Sequence, residues 1–132
     1  MENTILTNIS LVALGGAIGA SARYLFGILF YNLLPSSNGH YSTLFVNIAG
    51  SLLMGILIAM LARYPSELNS NLRLFFAVGI LGSFTTFSTF SLDFVTMYEN
   101  GQIMEAMTYA LISVTASILA LFLGLQIVRA IF

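Results

Sequence analysis

Residues 79–91 read Gly79-Ile80-Leu81-Gly82-Ser83-Phe84-Thr85-Thr86-Phe87-Ser88-Thr89-Phe90-Ser91, with six hydroxyls inside an otherwise apolar run. A hydroxyl in an apolar helix can bond back to the carbonyl four residues earlier, so one or two carry no message. Six together must each find a partner or cost free energy. Set among glycines and β-branched residues, they predict a membrane helix that breaks near its middle. Irregular backbone at that depth is tolerated only where it is buried in protein or lines a cavity. A broken helix also frees carbonyl and amide groups, which membrane proteins use to bind small ions. This segment is the expected functional centre.

The apolar run around it covers 72–98, and three more runs cover 5–34, 41–62 and 103–131. Each reaches the roughly 20 apolar residues that cross a bilayer as a helix. Turn clusters separate them: Pro35-Ser36-Ser37-Asn38-Gly39-His40, Arg63-Tyr64-Pro65-Ser66-Glu67 and Glu99-Asn100-Gly101-Gln102. Links this short leave no room for a soluble domain. The expectation is one all-α integral membrane domain over 1–132, a bundle of four transmembrane helices with both termini on one side. Such a chain is a multi-pass protein of the cell (plasma) membrane. The start Met1-Glu2-Asn3 lacks the basic residues of a cleaved signal peptide, and the apolar run behind it is too long for one.

Composition narrows the function. With 58% hydrophobic and 7% charged residues, the chain has too few charges to cover a soluble surface. It has no lysine, and four arginines against five acids give a net charge of -1. That excludes a basic face for nucleic acid. Without cysteine, and with one histidine (His40) in a polar stretch, there is no thiolate metal site and little to serve as nucleophile or base. An enzyme is not expected.

Several residues stand out within the runs. Gly15/Gly19, Gly16/Ala20, Ser51/Gly55 and Ala116/Ala120/Gly124 are small residues four apart, which let membrane helices approach closely. Arg23 lies well inside the first run, where it either snorkels to an interface or lines a water-filled vestibule that draws anions inward. Phe87 and Phe90 are three apart and can project from one face. Periodicity alone points to packing, but ring edges are positive and can also solvate a small anion. Asn47 is an amide deep in the second run, able to donate to an anion or to hold two helices together. Tyr109, Ser113 and Ser117 fall four apart and make a hydroxyl stripe. Asp93, near the end of the third run, reads as an interface residue.

Three blocks resemble the Fluc (CrcB-type) fluoride channels: GGAIGASARY at 15–24, TLFVNIAGSLLMG at 43–55 and GILGSFTTFSTFS at 79–91. Chain length, four spans and block spacing are similar as well. Ser83-Phe84 departs from the glycine and smaller residue common there. The resemblance implies passive, selective fluoride export through a dimer of two subunits in opposite orientations, with two antiparallel pores. It implies that Phe87 and Phe90 line the pores, that Asn47 is the pore amide and that Arg23 is the vestibule base. Ser88 and Thr89 fall on the hydroxyl-bearing stretch, and Tyr109, Ser113 and Ser117 on the polar track. It further implies a structural sodium ion (Na+) at the dimer centre, held by the backbone carbonyls of Gly82 and Thr85.

The physics suits that function. Fluoride is small and strongly hydrated, so a pore must replace its water with fixed donors or positive ring edges. Hydrogen fluoride crosses membranes neutral and dissociates inside, and a passive path lets the membrane potential drive the anion out. For sodium, two carbonyls are few for a hard cation, and a twofold partner doubles them to about four. The partner is a second copy of the chain in inverted orientation or a paired homologous subunit. Arg63, Arg73 and Arg129 fall on the side of the termini and Arg23 towards the other, a weak orientation bias. The main rival is a small dual-topology drug/proton antiporter, which needs a membrane carboxylate that the first two spans lack. A non-transporting membrane assembly subunit is the second rival, and it has no need of six hydroxyls at a break.

Overall fold

A computed structural model describes residues 2–34, 39–64 and 68–131, so the turn residues 35–38 and 65–67 lie outside the described residues. Helix α1 runs Glu2–Leu33 and α2 His40–Arg63. The third span is bent and joined from two pieces. Its first piece, α3, covers residues 69–84, and its second, α4, is Phe87–Glu99. Helix α5 is Ile103–Ile131. Four helices are long and apolar enough to cross a membrane, and no strand occurs among the described residues. At 1.5 Å per residue, a 32-residue helix such as α1 is about 48 Å long, well beyond the ~30 Å hydrocarbon core. The chain is a multi-pass membrane protein.

The break is made by two residues. Thr85 (φ −81°, ψ 159°) and Thr86 (φ −154°, ψ 124°) are extended, between helical Phe84 and Phe87. Before them, over Arg73–Leu81, the backbone winds in wide turns that bond five residues back; the Gly82 N–H, for instance, still reaches the Ala77 carbonyl. Helix α1 lies tight against this wide stretch. A Cβ on Gly15 would collide with the Phe75 carbonyl oxygen, and one on Gly19 with that of Ile80. Only glycine allows that approach.

Helices α2 and α5 form the other close pair. A Cβ on Gly55 would strike the Leu121 carbonyl oxygen, and one on Gly124 that of Leu52. At Gly15, Gly19, Gly55 and Gly124 the small-residue seams read from spacing are backbone contacts, whereas Gly16 faces the Ser83 hydroxyl. The side chain of Asn69 donates to the carbonyls of Leu61 (2.7 Å) and Tyr64 (2.8 Å), tying the end of α2 to the start of α3. At the other end, Gly101 (φ 79°) makes the left-handed turn between α4 and α5. Beside it, Met97, Ala106 and Tyr109 form a buried cluster, flanked by Leu44, Phe90 and Phe94. Large apolar side chains such as Leu111, Ile118 and Leu119 face outward, as lipid allows.

Candidate anion pathway at the helix break

The break is held open by α2. Asn47 Nδ2 donates to the Thr86 carbonyl (3.0 Å), and the Thr86 N–H donates to Asn47 Oδ1 (2.7 Å). Thr86 also starts α4: its hydroxyl accepts from the Thr89 N–H (3.2 Å) and donates to Thr89 Oγ1 (3.0 Å). The Thr85 hydroxyl bonds back to the Leu81 carbonyl (3.0 Å) and so closes α3. Gly50 makes room, since a Cβ there would collide with the Thr85 methyl Cγ2 and stand 3.2 Å from the Phe84 ring.

These bonds have a consequence for the carbonyls. In a continuous α-helix the Thr86 N–H would bond the Gly82 carbonyl, and the Thr89 N–H would bond the Thr85 carbonyl. Both donors are diverted, one to Asn47 and the other to the Thr86 hydroxyl. The carbonyls of Gly82 and Thr85 thus lose their α-helical partners. Neutral oxygens of this kind suit a hard monovalent cation. Among the described residues, no group of three or more His, Asp or Glu side chains could hold a metal ion.

Two concavities meet at Thr86. A cleft of about 440 Å³ is lined by Asn47, Gly50, Thr85, Thr86, Phe87, Phe90, Ser113 and Ser117. A cavity of about 580 Å³ on the other side is lined by Arg23, Ser42, Thr43, Thr86, Thr89 and Asp93, among others. The fold thereby brings most of the residues singled out in the sequence to two adjoining spaces. Ser88 is exposed and reaches the site through its hydroxyl, 3.3 Å from that of Thr86. Tyr109 lines a third cavity, of about 470 Å³, with His40 and Glu105.

The rings of Phe87 and Phe90 are 5.4 Å apart and tilted by 44°, and Phe90 lies 5.4 Å from Tyr109. Phe87 is 76% exposed and lines the cleft. Ser113 is the converse case. It is 4% exposed, and its hydroxyl has no hydrogen-bond partner among the described residues. The hydroxyl group of Tyr109 is its polar neighbour, and a buried hydroxyl in a cleft wall calls for a partner.

Two residues matter more than their sequence positions suggested. Asp93, read as an interface residue, accepts a hydrogen bond from the Tyr109 hydroxyl (3.1 Å) and shares a cavity with Arg23. Thr43, not singled out, is buried in the wall of that cavity. A spacing signal existed for both. Thr89/Asp93 and Thr43/Asn47 are each four apart and so share a helix face.

Comparison with known proteins agrees with this geometry. Residues 10–125 match the family described as CrcB-like protein, Camphor Resistance (CrcB). A protein of Hyphomonas neptunium named fluoride-specific ion channel FluC is 49% identical over 92% of this chain and 95% of its own length. Proteins of the same name from Mesorhizobium japonicum and Agrobacterium fabrum are 47% and 46% identical, covering 94% and 96% of this chain and 98% and 100% of theirs. With a match across nearly all of both chains, and with Ser113 and Ser117 in the cleft at the helix break, the protein is a member of the CrcB-like family.

Proposed function

We propose that this chain is a passive, fluoride-selective export channel of the cell membrane, working as an antiparallel pair with one pore per subunit face. The observation that carries the reading is the meeting of two concavities at Thr86. One holds Arg23 to draw the anion in. The other offers aromatic edges and the Ser113 hydroxyl to replace its water. Relatives that match more than nine tenths of the chain are named fluoride-specific ion channels. The test is efflux from liposomes holding the purified protein, with fluoride and chloride compared and no proton gradient imposed. Rapid fluoride efflux with little chloride is expected, and equal efflux of the two overturns the reading.

Two further parts of the proposal concern assembly. A second copy in inverted orientation, or a paired homologous subunit, covers the exposed Phe87 ring and turns the one-sided cleft into a pore. The same partner adds its own break carbonyls to those of Gly82 and Thr85, so that a structural sodium ion is held between the subunits. What supports the sodium is the diversion of the Thr86 and Thr89 amides, together with the exposure of Gly82 on the outer face.

One observation favours a second reading. Asp93, hydrogen-bonded to Tyr109 beside a cavity, is the kind of carboxylate that a proton-coupled antiporter uses. Transport by Asp93→Asn decides between them. A channel keeps conducting down the fluoride gradient, whereas an antiporter loses its proton coupling.

A further inference from the structure

At the end of the bundle shared by the termini, two arginines converge. Arg63 closes α2 and Arg129 stands in the last turn of α5. The tight Gly55/Gly124 crossing between these helices keeps their ends side by side. Between them opens a cavity of about 510 Å³, lined by Ala59, Ala62, Arg63, Tyr64, Val128 and Arg129. Among the described residues no carboxylate lines it, and neither guanidinium takes part in an ion pair or hydrogen bond. Asp93, Glu99 and Glu105 sit at the opposite end of the bundle.

Arginines at helix C-termini gain from the helix dipole, and long side chains snorkel to the interface. Neither effect calls for two guanidiniums on one concavity whose remaining wall, apart from the Tyr64 hydroxyl, is apolar. We infer that Arg63 and Arg129 form a binding site for the phosphate of an anionic phospholipid. The guanidiniums give forked donors to the phosphate oxygens, and the Tyr64 hydroxyl is a further donor. The upper acyl chain lies along Ala59, Ala62 and Val128. A free phosphate would satisfy the arginines but not this apolar wall, which is why a lipid is assigned. The inference does not depend on which ion the bundle conducts. Basic pockets between membrane helices are a recurrent way of holding anionic headgroups.

The test measures lipid retention and melting temperature on the full-length protein in detergent, with phosphatidylglycerol or phosphatidylcholine added. The native chain should retain phosphatidylglycerol by about tenfold or more over phosphatidylcholine, since each arginine near an anionic headgroup is worth roughly fivefold. The variant Arg63→Gln with Arg129→Gln should lose that preference while responding to phosphatidylcholine as before. Arg63→Lys with Arg129→Lys keeps the charge but loses the fork, so an intermediate preference is expected. That variant also serves if the glutamine pair does not fold. Equal retention of the two lipids by the native chain overturns the site, as does full preference in the glutamine variant. If inorganic phosphate alone raises the melting temperature as far as phosphatidylglycerol does, the lipid assignment is wrong.

Discussion

The side chain of Asn47 and the backbone of Thr86 form a closed pair, each donating to the other, at 3.0 and 2.7 Å. One side-chain amide on α2 thereby takes the place of the helical partner of the Thr86 N–H and adds a second donor to the Thr86 carbonyl, which as the N-cap of α4 already accepts the first bond of that helix. It holds Thr86 extended, leaves the Gly82 carbonyl without its α-helical donor and fixes where α4 begins. One N–H of the Asn47 amide remains for a ligand in the cleft, so the two roles open to it from sequence are compatible.

Asn47→Asp should impair fluoride efflux more than Asn47→Ser. Aspartate keeps the acceptor for the Thr86 N–H but faces the Thr86 carbonyl with a second oxygen, so the bond from the amide is replaced by repulsion between two acceptors. It also adds a negative charge beside the cleft. At an effective dielectric of about 20, a like charge ~5 Å from the anion costs about 3 kcal/mol, roughly a hundredfold in occupancy. Serine is too short to make either bond, and loses about 1–3 kcal/mol of stability instead. Efflux rates and melting temperatures of the two variants check this, and comparable efflux argues that Asn47 serves packing alone.

Gly50→Ala should destabilise the break, because the new methyl meets Thr85 Cγ2. Overpacking of this kind costs about 1–3 kcal/mol. Adding Thr85→Ser removes the opposing methyl and keeps the hydroxyl that bonds Leu81, so the double variant should recover most of the loss. A thermal-unfolding cycle over the two single variants and the double variant measures the coupling. Simple additivity would show that the two residues do not touch.

Phe87→Ile and Phe90→Ile should each lower fluoride efflux while leaving the assembly intact on size exclusion. Isoleucine keeps the apolar bulk and loses only the positive ring edge, worth about 0.5–1.5 kcal/mol per ring contact or roughly two- to tenfold in rate. The effect at Phe87, which is exposed, should come with little change in melting temperature. If both variants conduct like the native chain, the rings only pack.

Removing sodium should loosen the assembly. On the proposed assembly, exchanging it for a large organic cation would leave the carbonyls of Gly82 and Thr85 without their ion, so the protein should melt at lower temperature and recover when sodium is restored. In parallel, a C-terminal tag on the chain expressed alone should be accessible from both sides of the membrane. A tag found on one side only, in cells with full activity, points to a paired homologous subunit in place of an inverted copy.

The sequence by itself determined the four spans and the place of the break. Span length is set by bilayer thickness and shows as apolar runs, and the hydroxyl cluster at 83–91 marks where a helix cannot remain purely apolar. It also determined the glycine seams at Gly15/Gly19 and Gly55, because small residues at helical spacing are a local pattern. Tertiary structure decided what spacing cannot carry. Asn47 meets Thr86 across 39 residues and Asp93 meets Tyr109 across 16, and no periodicity links positions on different helices. The wide turns over Arg73–Leu81 likewise come into view only beside α1, whose glycines lie against the carbonyls of Phe75 and Ile80. Hydrophobic pattern is a property of each helix taken alone, whereas the pairing of polar groups in lipid depends on which helices are neighbours. For that reason the membrane topology was legible in the chain and the bonding within its site was not.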